Sequence, residues 1–268
     1  MKIGNKEFDL KNHAYVMGIL NVTPDSFSDG GKWNDKGRAM RPTQEMIDQG
    51  ATIIDIGGES ARQGYTLISD AEEISRVVPM IEMVKKNFDV PVSIDTYKSR
   101  VAEAALDAGA DLVNDIWGLK YDPDLAGVIA RKNAPCCLMH NRKEPDYTDF
   151  IADFLKDMQE TIDIAKKAGI ADENIILDPG VGFGTTYENN LEIITKLECM
   201  HTLGYPILLG TSRKSVIGLT LDLPADQRME GTVATTVIGV MKGVAFVRVH
   251  DVKENYRALK MTEAILGR

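Results

Sequence analysis

Polar residues that can hold a small molecule follow several short apolar runs of this chain. Asp95 and Asp178 end two of them, and a carboxylate accepts hydrogen bonds from a planar edge with two adjacent N–H donors. Asn114 adds both a donor and an acceptor. Arg248 and His250 follow the last run, and residues two apart in extended chain point the same way, so both can face one phosphate. These residues predict one site with hydrogen-bond acceptors at one pole and anion-binding groups at the other.

The elements that must position these residues are short strands alternating with amphipathic helices. This alternation predicts a parallel sheet, and eight repeats predict an α/β fold, the (β/α)8 TIM barrel. The carboxyl ends of the strands of such a barrel converge on one mouth, where active sites lie, so the chain is predicted to be an enzyme. The predicted strands are 15–20, 52–56, 92–94, 112–113, 136–139, 175–177, 207–209 and 244–247.

Apolar residues at helical spacing predict the helices between these strands. Ser69 or Asp70 is expected to cap one of them, and Gly50, Gly109, Gly169 and Gly204 follow four others, where left-handed backbone is common. Residues 1–10 are interpreted as a leading strand or β-hairpin that closes the barrel floor. The predicted helices are 39–49, 70–86, 98–108, 123–132, 150–168, 189–203, 226–241 and 252–266.

Composition restricts the function classes. The chain has 268 residues, close to the roughly 250 that one barrel needs, and no linker divides it, so a single domain over 1–268 is expected. A net charge of −9 argues against a nucleic-acid partner. No signal-like or membrane-length apolar run occurs, so no membrane partner and a cytoplasmic location are expected. Cys136, Cys137 and Cys199 form no C-x-x-C pair and are expected to be free thiols.

The connection after the first strand is unusually long. Residues 21–31 are polar and end in two glycines, whereas a βα connection typically has about two to six residues. Such length is typical of a lid or binding loop. Phe27 in its middle is expected to close over a ligand.

Seven stretches, in order, resemble the signatures of the dihydropteroate synthase family of pterin-binding TIM-barrel enzymes. The likeness covers nearly the whole chain. It implies a transferase of folate biosynthesis that condenses (7,8-dihydropterin-6-yl)methyl diphosphate with 4-aminobenzoate, giving 7,8-dihydropteroate and pyrophosphate. The stretches are 17–31 (MGILNVTPDSFSDGG), 50–60 (GATIIDIGGES), 93–98 (SIDTYK), 114–118 (NDIWG), 177–184 (LDPGVGFG), 210–215 (GTSRKS) and 248–251 (RVHD).

The resemblance also implies residue roles. The implied catalytic residues are Asp95, Asp178, Lys214, Arg248 and His250. Pterin binding is implied for Asp95, Asn114, Met139, Asp178, Phe183 and Lys214, and pyrophosphate binding for Asn21, Ala61, Arg248 and His250. Aminobenzoate binding is implied for Phe27, Ser60, Arg62, Gln63, Lys214 and Ser215. The implied cofactor is Mg²⁺ at Asn21, carried mainly by the diphosphate because one amide oxygen is a poor metal site.

The implied chemistry needs no covalent nucleophile. Positive charge develops on the pterin methylene beside Asp95 and Asp178, and negative charge develops on the diphosphate beside Arg248, His250 and magnesium. The resemblance further implies a homodimer formed by helices on the back of the barrel. Lys214 is expected to hold Asp178.

Three residues depart from the family pattern. Ala61 and Gln63 replace a threonine and a proline of the second signature, and Thr185 replaces a common lysine. The first two changes lie in the implied aminobenzoate pocket, which sulfonamides also occupy. We therefore expect reduced sulfonamide sensitivity relative to an Ala61→Thr, Gln63→Pro variant.

Two alternatives remain open from sequence. A methyltetrahydrofolate-dependent methyltransferase shares the pterin-holding barrel but has no diphosphate to bind, and a non-catalytic relative would bind pterins without turnover. The remaining histidines are interpreted as minor: His13 and His201 as surface or core residues, and His140 as a rim residue without an evident partner. Arg213 is interpreted as a structural or rim residue, and Ser215 as the start of a short extra helix.

Overall fold

A computed structural model of the chain describes residues 1–22, 36–59 and 67–268. Within these ranges eight parallel strands form one sheet, in which the last strand, Phe246–Val249, pairs with both the first, Tyr15–Asn21, and the short strand Leu208–Leu209. A parallel bridge between Leu177 and Ile207 joins the two end strands and closes the barrel. The strands are β3 (Tyr15–Asn21), β4 (Ala51–Gly57), β5 (Val92–Asp95), β6 (Leu112–Asp115), β7 (Cys136–Met139), β8 (Ile175–Asp178), β9 (Leu208–Leu209) and β10 (Phe246–Val249). The predicted TIM barrel is confirmed.

The predicted N-terminal hairpin is also confirmed. Strands β1 (Lys2–Ile3) and β2 (Lys6–Glu7) pair antiparallel, with Lys2 opposite Glu7. Ile3 and Phe8 are buried against inward-facing residues of the barrel. The hairpin therefore covers the amino end of the barrel with apolar side chains.

Helices lie between consecutive strands along the chain, and a last helix follows the final strand. Helix α2 shows how the sequence specifies these helices, because Val77, Ile81 and Val84 recur at helical spacing and are buried against the sheet. Of the two predicted caps, Ser69 or Asp70, the cap is Ser69, whose Oγ accepts from the backbone N–H of Glu72 at 3.2 Å. The helices are α1 (Lys36–Asp48), α2 (Asp70–Asn87), α3 (Ser99–Asp107), α4 (Leu125–Lys132), α5 (Phe150–Ala168), α6 (Tyr187–Thr195), α7 (Ser215–Leu221), α8 (Met229–Met241) and α9 (Val252–Ile265).

Some predicted boundaries are wrong. The stretch 189–203 is not one helix, because the backbone leaves the α conformation at Lys196 and continues as the 3₁₀ helix Leu197–Leu203. Apolar periodicity does not separate the two helix types over so few turns. The stretch 226–241 likewise divides into the 3₁₀ turn Ala225–Gln227 and α8. The last strand runs over Phe246–Val249 rather than 244–247, so Arg248 lies inside the strand.

Other expectations are confirmed. The four glycines predicted to end helices have φ between +82° and +109°. Cys136 and Cys137 are buried, and all three cysteines are free thiols. In the parts of the chain that the structure describes, no helix combines the length and apolar content needed to cross a bilayer.

Candidate active site

The carboxyl ends of the barrel strands bring the predicted polar residues to one mouth. Asp95 lies beside Asn114 in the register of β5 and β6, and Met139 lies beside Asp178 in β7 and β8. Asn114 is 3% exposed and Asp178 is 4% exposed. Both side chains are therefore largely shielded from bulk water, which strengthens their interactions with charged and hydrogen-bonding groups.

Arg248 joins two carboxylates at the centre of this mouth. Its Nε donates to Oδ2 of Asp55 and its Nη2 donates to Oδ2 of Asp95, each at 2.6 Å. Burial disfavours the guanidinium charge, but the two carboxylates prevail and raise the pKa of Arg248. Burial raises the pKa of Asp95 to about 7, against the opposing effect of Arg248. The two predicted poles of the site are therefore in direct contact in the unliganded chain.

A second charged pair lies on the neighbouring side of the mouth. Oδ1 of Asp178 accepts from the backbone N–H of Gly180 at 2.7 Å, and burial raises the pKa of this carboxyl. Burial lowers the pKa of Lys214 to about 8, although Asp178 opposes the shift. The Lys214 ammonium donates to the carbonyl of Val181 and lies 4.6 Å from the ring centroid of Phe183. Its influence on Asp178 is thus electrostatic, without the direct contact that the sequence predicted.

An apolar wall adjoins these polar groups. Met139, Tyr97 and Ile116 are buried together, and Trp117 and Phe183 pack against them. Side chains of this kind suit the faces of a planar heterocycle, while the carboxylates and Asn114 suit its hydrogen-bonding edge. The mouth thus combines an apolar wall, hydrogen-bond acceptors and partly buried cations.

The family model for pterin binding enzymes matches residues 17–250. The chain belongs to the pterin-binding enzyme family. It is 63% identical to the dihydropteroate synthase of Clostridium beijerinckii, over the full length of both chains. The crystal structure of the Clostridium difficile dihydropteroate synthase in the presence of pteroic acid superposes with a TM-score of 0.93 at 49% identity, covering 98% of this chain and 100% of that one.

A second solved structure of this pterin-binding family contains the other substrate class. The Xanthomonas albilineans dihydropteroate synthase with 4-aminobenzoic acid superposes with a TM-score of 0.89 at 38% identity, covering 96% of this chain and 94% of that one. The likeness inferred from sequence is confirmed, and the chain is a transferase of this family. The methyltransferase alternative is therefore not supported.

Some predicted site residues lie outside the described residues, and others lie at the edge of the mouth. Phe27, Ser60, Ala61, Arg62 and Gln63 fall outside the described residues. Asn21 is exposed at the end of β3, in register with Gly57. Ser215 begins α7, so the predicted short extra helix is confirmed. Thr185 donates through its hydroxyl to Oδ1 of Asn190 at 2.8 Å.

The interpretation of His140 as a residue without a partner is wrong. Its Nε2 lies 2.9 Å from Oδ2 of Asp157, and Arg142 binds both oxygens of the same carboxylate. The backbone N–H of His140 also donates to the carbonyl of Asp178 at 2.9 Å. Gly180 has φ +69°, and a Cβ there would lie 1.9 Å from the His140 carbonyl oxygen. This tight packing fixes the loop that follows β8.

Two residues at the site were missed in the sequence. Asp55 is fully buried and accepts a hydrogen bond from Arg248, yet it lies inside an apolar strand and not at the end of one. The signal in the sequence that could have identified Asp55 was a charged residue within an otherwise apolar run. Ser212 lies within a recognised stretch, but only the structure shows that its hydroxyl contacts His250.

Proposed function

We propose that this chain condenses (7,8-dihydropterin-6-yl)methyl diphosphate with 4-aminobenzoate through the mouth described above. One observation carries the proposal: the buried Asn114 and Asp178 share the mouth with the Asp95–Arg248 pair, in a chain 63% identical to a dihydropteroate synthase. The acceptors fit the N–H edge of a pterin, and the cation fits a diphosphate. Met139 and Phe183 would cover the ring faces.

The proposed reaction uses the charges already in place. Loss of pyrophosphate leaves positive charge on the methylene carbon, which Asp95 and Asp178 stabilise, and the aminobenzoate amine then attacks that carbon. Arg248 and His250 bind the departing diphosphate. Since Arg248 pairs with Asp95 in the free chain, diphosphate binding would exchange one of its two carboxylate contacts for phosphate oxygens.

The described residues of the site offer few oxygen ligands for Mg²⁺. Among the described residues no group of three or more His, Cys, Asp or Glu side chains is arranged to hold a metal ion. Asn21 offers one amide oxygen, and Asp55 and Asp95 already pair with Arg248. These residues fit Mg²⁺ as an ion carried by the diphosphate, where it would neutralise developing negative charge.

The aminobenzoate side of the proposal rests on Lys214 and Ser215 with Phe27, Ser60, Arg62 and Gln63. Ala61 and Gln63 are proposed to weaken sulfonamide binding relative to aminobenzoate. The Ala61→Thr change restores at most one hydrogen bond, about 0.5–1.5 kcal/mol net. The Gln63→Pro change restricts the backbone of the unfolded chain, which contributes about 0.4–1 kcal/mol. The ratio of drug Ki to aminobenzoate KM is expected to fall in the Ala61→Thr, Gln63→Pro variant, and an equal ratio in both proteins would contradict this.

We further propose a cytoplasmic homodimer. Helices α8 and α9 pack together through a 2.7 Å hydrogen bond between Thr236 and Asn255. They expose Met241, Met261 and Ile265 at 60%, 62% and 74%, an apolar surface typical of protein interfaces. Sedimentation analysis should give the dimer mass, and Ile265→Asp should shift it toward the monomer. The free thiols fit a reducing compartment.

The experiment that tests the function is an assay of pyrophosphate release with both substrates and magnesium. Turnover that requires all three components is expected. A protein that only binds pterins would instead be stabilised against unfolding by the pterin substrate, without releasing pyrophosphate.

A further inference from the structure

We propose that Ser212 is a positioning residue that fixes the tautomer of His250, with Nδ1 as an acceptor and the proton on Nε2. Two contacts link the residues. The Ser212 hydroxyl oxygen accepts from the backbone N–H of His250 at 3.1 Å, and it lies 2.9 Å from Nδ1 of the same histidine. Ser212 is 7% exposed, so water has little access to its hydroxyl.

The Ser212 hydroxyl carries one proton, which needs a hydrogen-bond acceptor. Among the described residues these two contacts are the hydrogen bonds that the Ser212 side chain makes. Its oxygen accepts the backbone N–H, so the hydroxyl proton is available for Nδ1. If Nδ1 carried the proton instead, the hydroxyl proton would lose its acceptor inside a buried site, which is costly. The arrangement therefore favours an unprotonated Nδ1.

The surrounding loop keeps Ser212 from turning away. Arg213 has the left-handed φ of +58°, and its guanidinium binds both carboxylate oxygens of Asp251 at 3.0 and 2.5 Å. The backbone N–H of Arg213 donates to Oγ1 of Thr232 at 3.0 Å, and the guanidinium of Arg228 donates to the Arg213 carbonyl at 3.0 Å. Both flanks of the Ser212–His250 pair are thus fixed.

The consequence for catalysis rests on the diphosphate role proposed above for His250. Ionised phosphate oxygens accept hydrogen bonds and do not donate them. A neutral imidazole has one N–H donor, so the Nε2–H tautomer can donate to the departing diphosphate through Nε2. The other tautomer would present a lone pair to an anion. Ser212 thereby keeps the proton of His250 on Nε2, the nitrogen that would donate to the diphosphate.

Nitrogen-15 NMR of histidine-labelled protein tests the tautomer directly. The chain has four histidines, so the His250 signals can be assigned by their loss in His250→Gln. At a pH where the ring is neutral, Nδ1 should give a pyridine-type resonance and Nε2 a pyrrole-type resonance. A protonated Nδ1 in the unaltered protein would overturn the proposal, whatever happens in any variant.

Ser212→Ala should give a mixture of both tautomers and weaken the site for the diphosphate substrate. The expected rise in KM for that substrate is about 2- to 10-fold, with the aminobenzoate KM unchanged. Ser212→Thr keeps the hydroxyl and should preserve the native spectrum. An unchanged tautomer in Ser212→Ala would contradict the inference.

Thr235→Val is the matched control. It removes the α8 hydroxyl that bonds at 2.6 Å to Thr211, the residue before Ser212, and leaves the Ser212–His250 contacts intact. It should change neither the spectrum nor the KM for the diphosphate substrate. Equal effects in Thr235→Val and Ser212→Ala would reduce Ser212 to a merely structural role. Absence of turnover in the unaltered enzyme would count against the proposed function and leave the NMR result standing.

Discussion

The two ends of the barrel use the same strands but have opposite interiors. Apolar side chains fill the floor, where Ile53 and Phe246 are fully buried. Two residues further along the same strands, Asp55 and Arg248 form an ion pair at the mouth. Residues i and i+2 of a strand face the same side, so each strand changes from apolar to charged over about 6.6 Å.

The same change recurs on other strands. Leu112 precedes Asn114 by two positions in β6, and Ile176 precedes Asp178 by two in β8. The floor member of each pair belongs to one buried apolar cluster, whereas the mouth member is a polar group at the site. The residues that stabilise the fold and the residues of the site therefore occupy successive layers of one barrel. Substitutions at the two layers should therefore have separable effects.

The largest effect is expected from Asp178→Asn at the mouth. The variant keeps the shape of the side chain but loses the charge that binds two pterin N–H groups in the proposed complex. With about 1.5–3 kcal/mol for each hydrogen bond to a charged group, kcat/KM should fall about 10²- to 10⁴-fold. Stability should change little, because burial already disfavours the charged form. Steady-state kinetics and thermal unfolding measure both quantities; full activity would remove Asp178 from the site.

The next effect is expected from Phe246→Ala at the floor. Removing this fully buried ring should destabilise the protein by about 3–5 kcal/mol, because the cavity collapses only partly. The kcat of the folded fraction should remain close to that of the unaltered enzyme. Denaturant unfolding and active-site titration provide the comparison. A large loss of kcat with unchanged stability would contradict the division into layers.

The titration of Asp95 should affect the stability of the protein and its activity in different ways. Burial raises its pKa from 3.8 to about 7, so the folded chain holds this proton more tightly than the unfolded chain. The stability from the protonated form is complete below pH 3.8 and is lost as the pH rises through about 7. Binding needs the carboxylate, so kcat/KM should fall about tenfold per pH unit below the pKa. Stability and activity thus change in opposite directions.

Asp95→Asn provides the control for this prediction. Other buried carboxyls also titrate, and burial raises the pKa of Asp115 to about 6, so the difference between the two proteins isolates Asp95. The fall in stability between pH 4 and 7 should be shallower in the variant. Identical unfolding profiles of the two proteins over that interval would show that Asp95 does not titrate there.

The sequence made the mouth residues predictable because of how a parallel barrel is built. Asp95 and Asp178 end apolar runs, and strand ends converge whatever their separation in the chain. Asp55 was hidden because its partner Arg248 is 193 positions away and the charge lies inside an apolar run. His140 was misread because Asp157 belongs to helix α5, where an acidic residue gives no sign of facing inward. Pairings made by packing are not encoded locally.

The smallest predicted effect lies in the outer helical layer, at the start of α2. Ser69→Ala removes the cap that accepts the Glu72 N–H, which should destabilise the protein by about 1 kcal/mol. Ser69→Asp keeps an acceptor beside the positive end of the helix dipole and should retain the stability. Neither change alters the mouth, so kcat/KM should be equal in all three proteins. Urea unfolding resolves a difference of this size, and a loss of activity in Ser69→Ala alone would mean that the outer layer is not independent of the site.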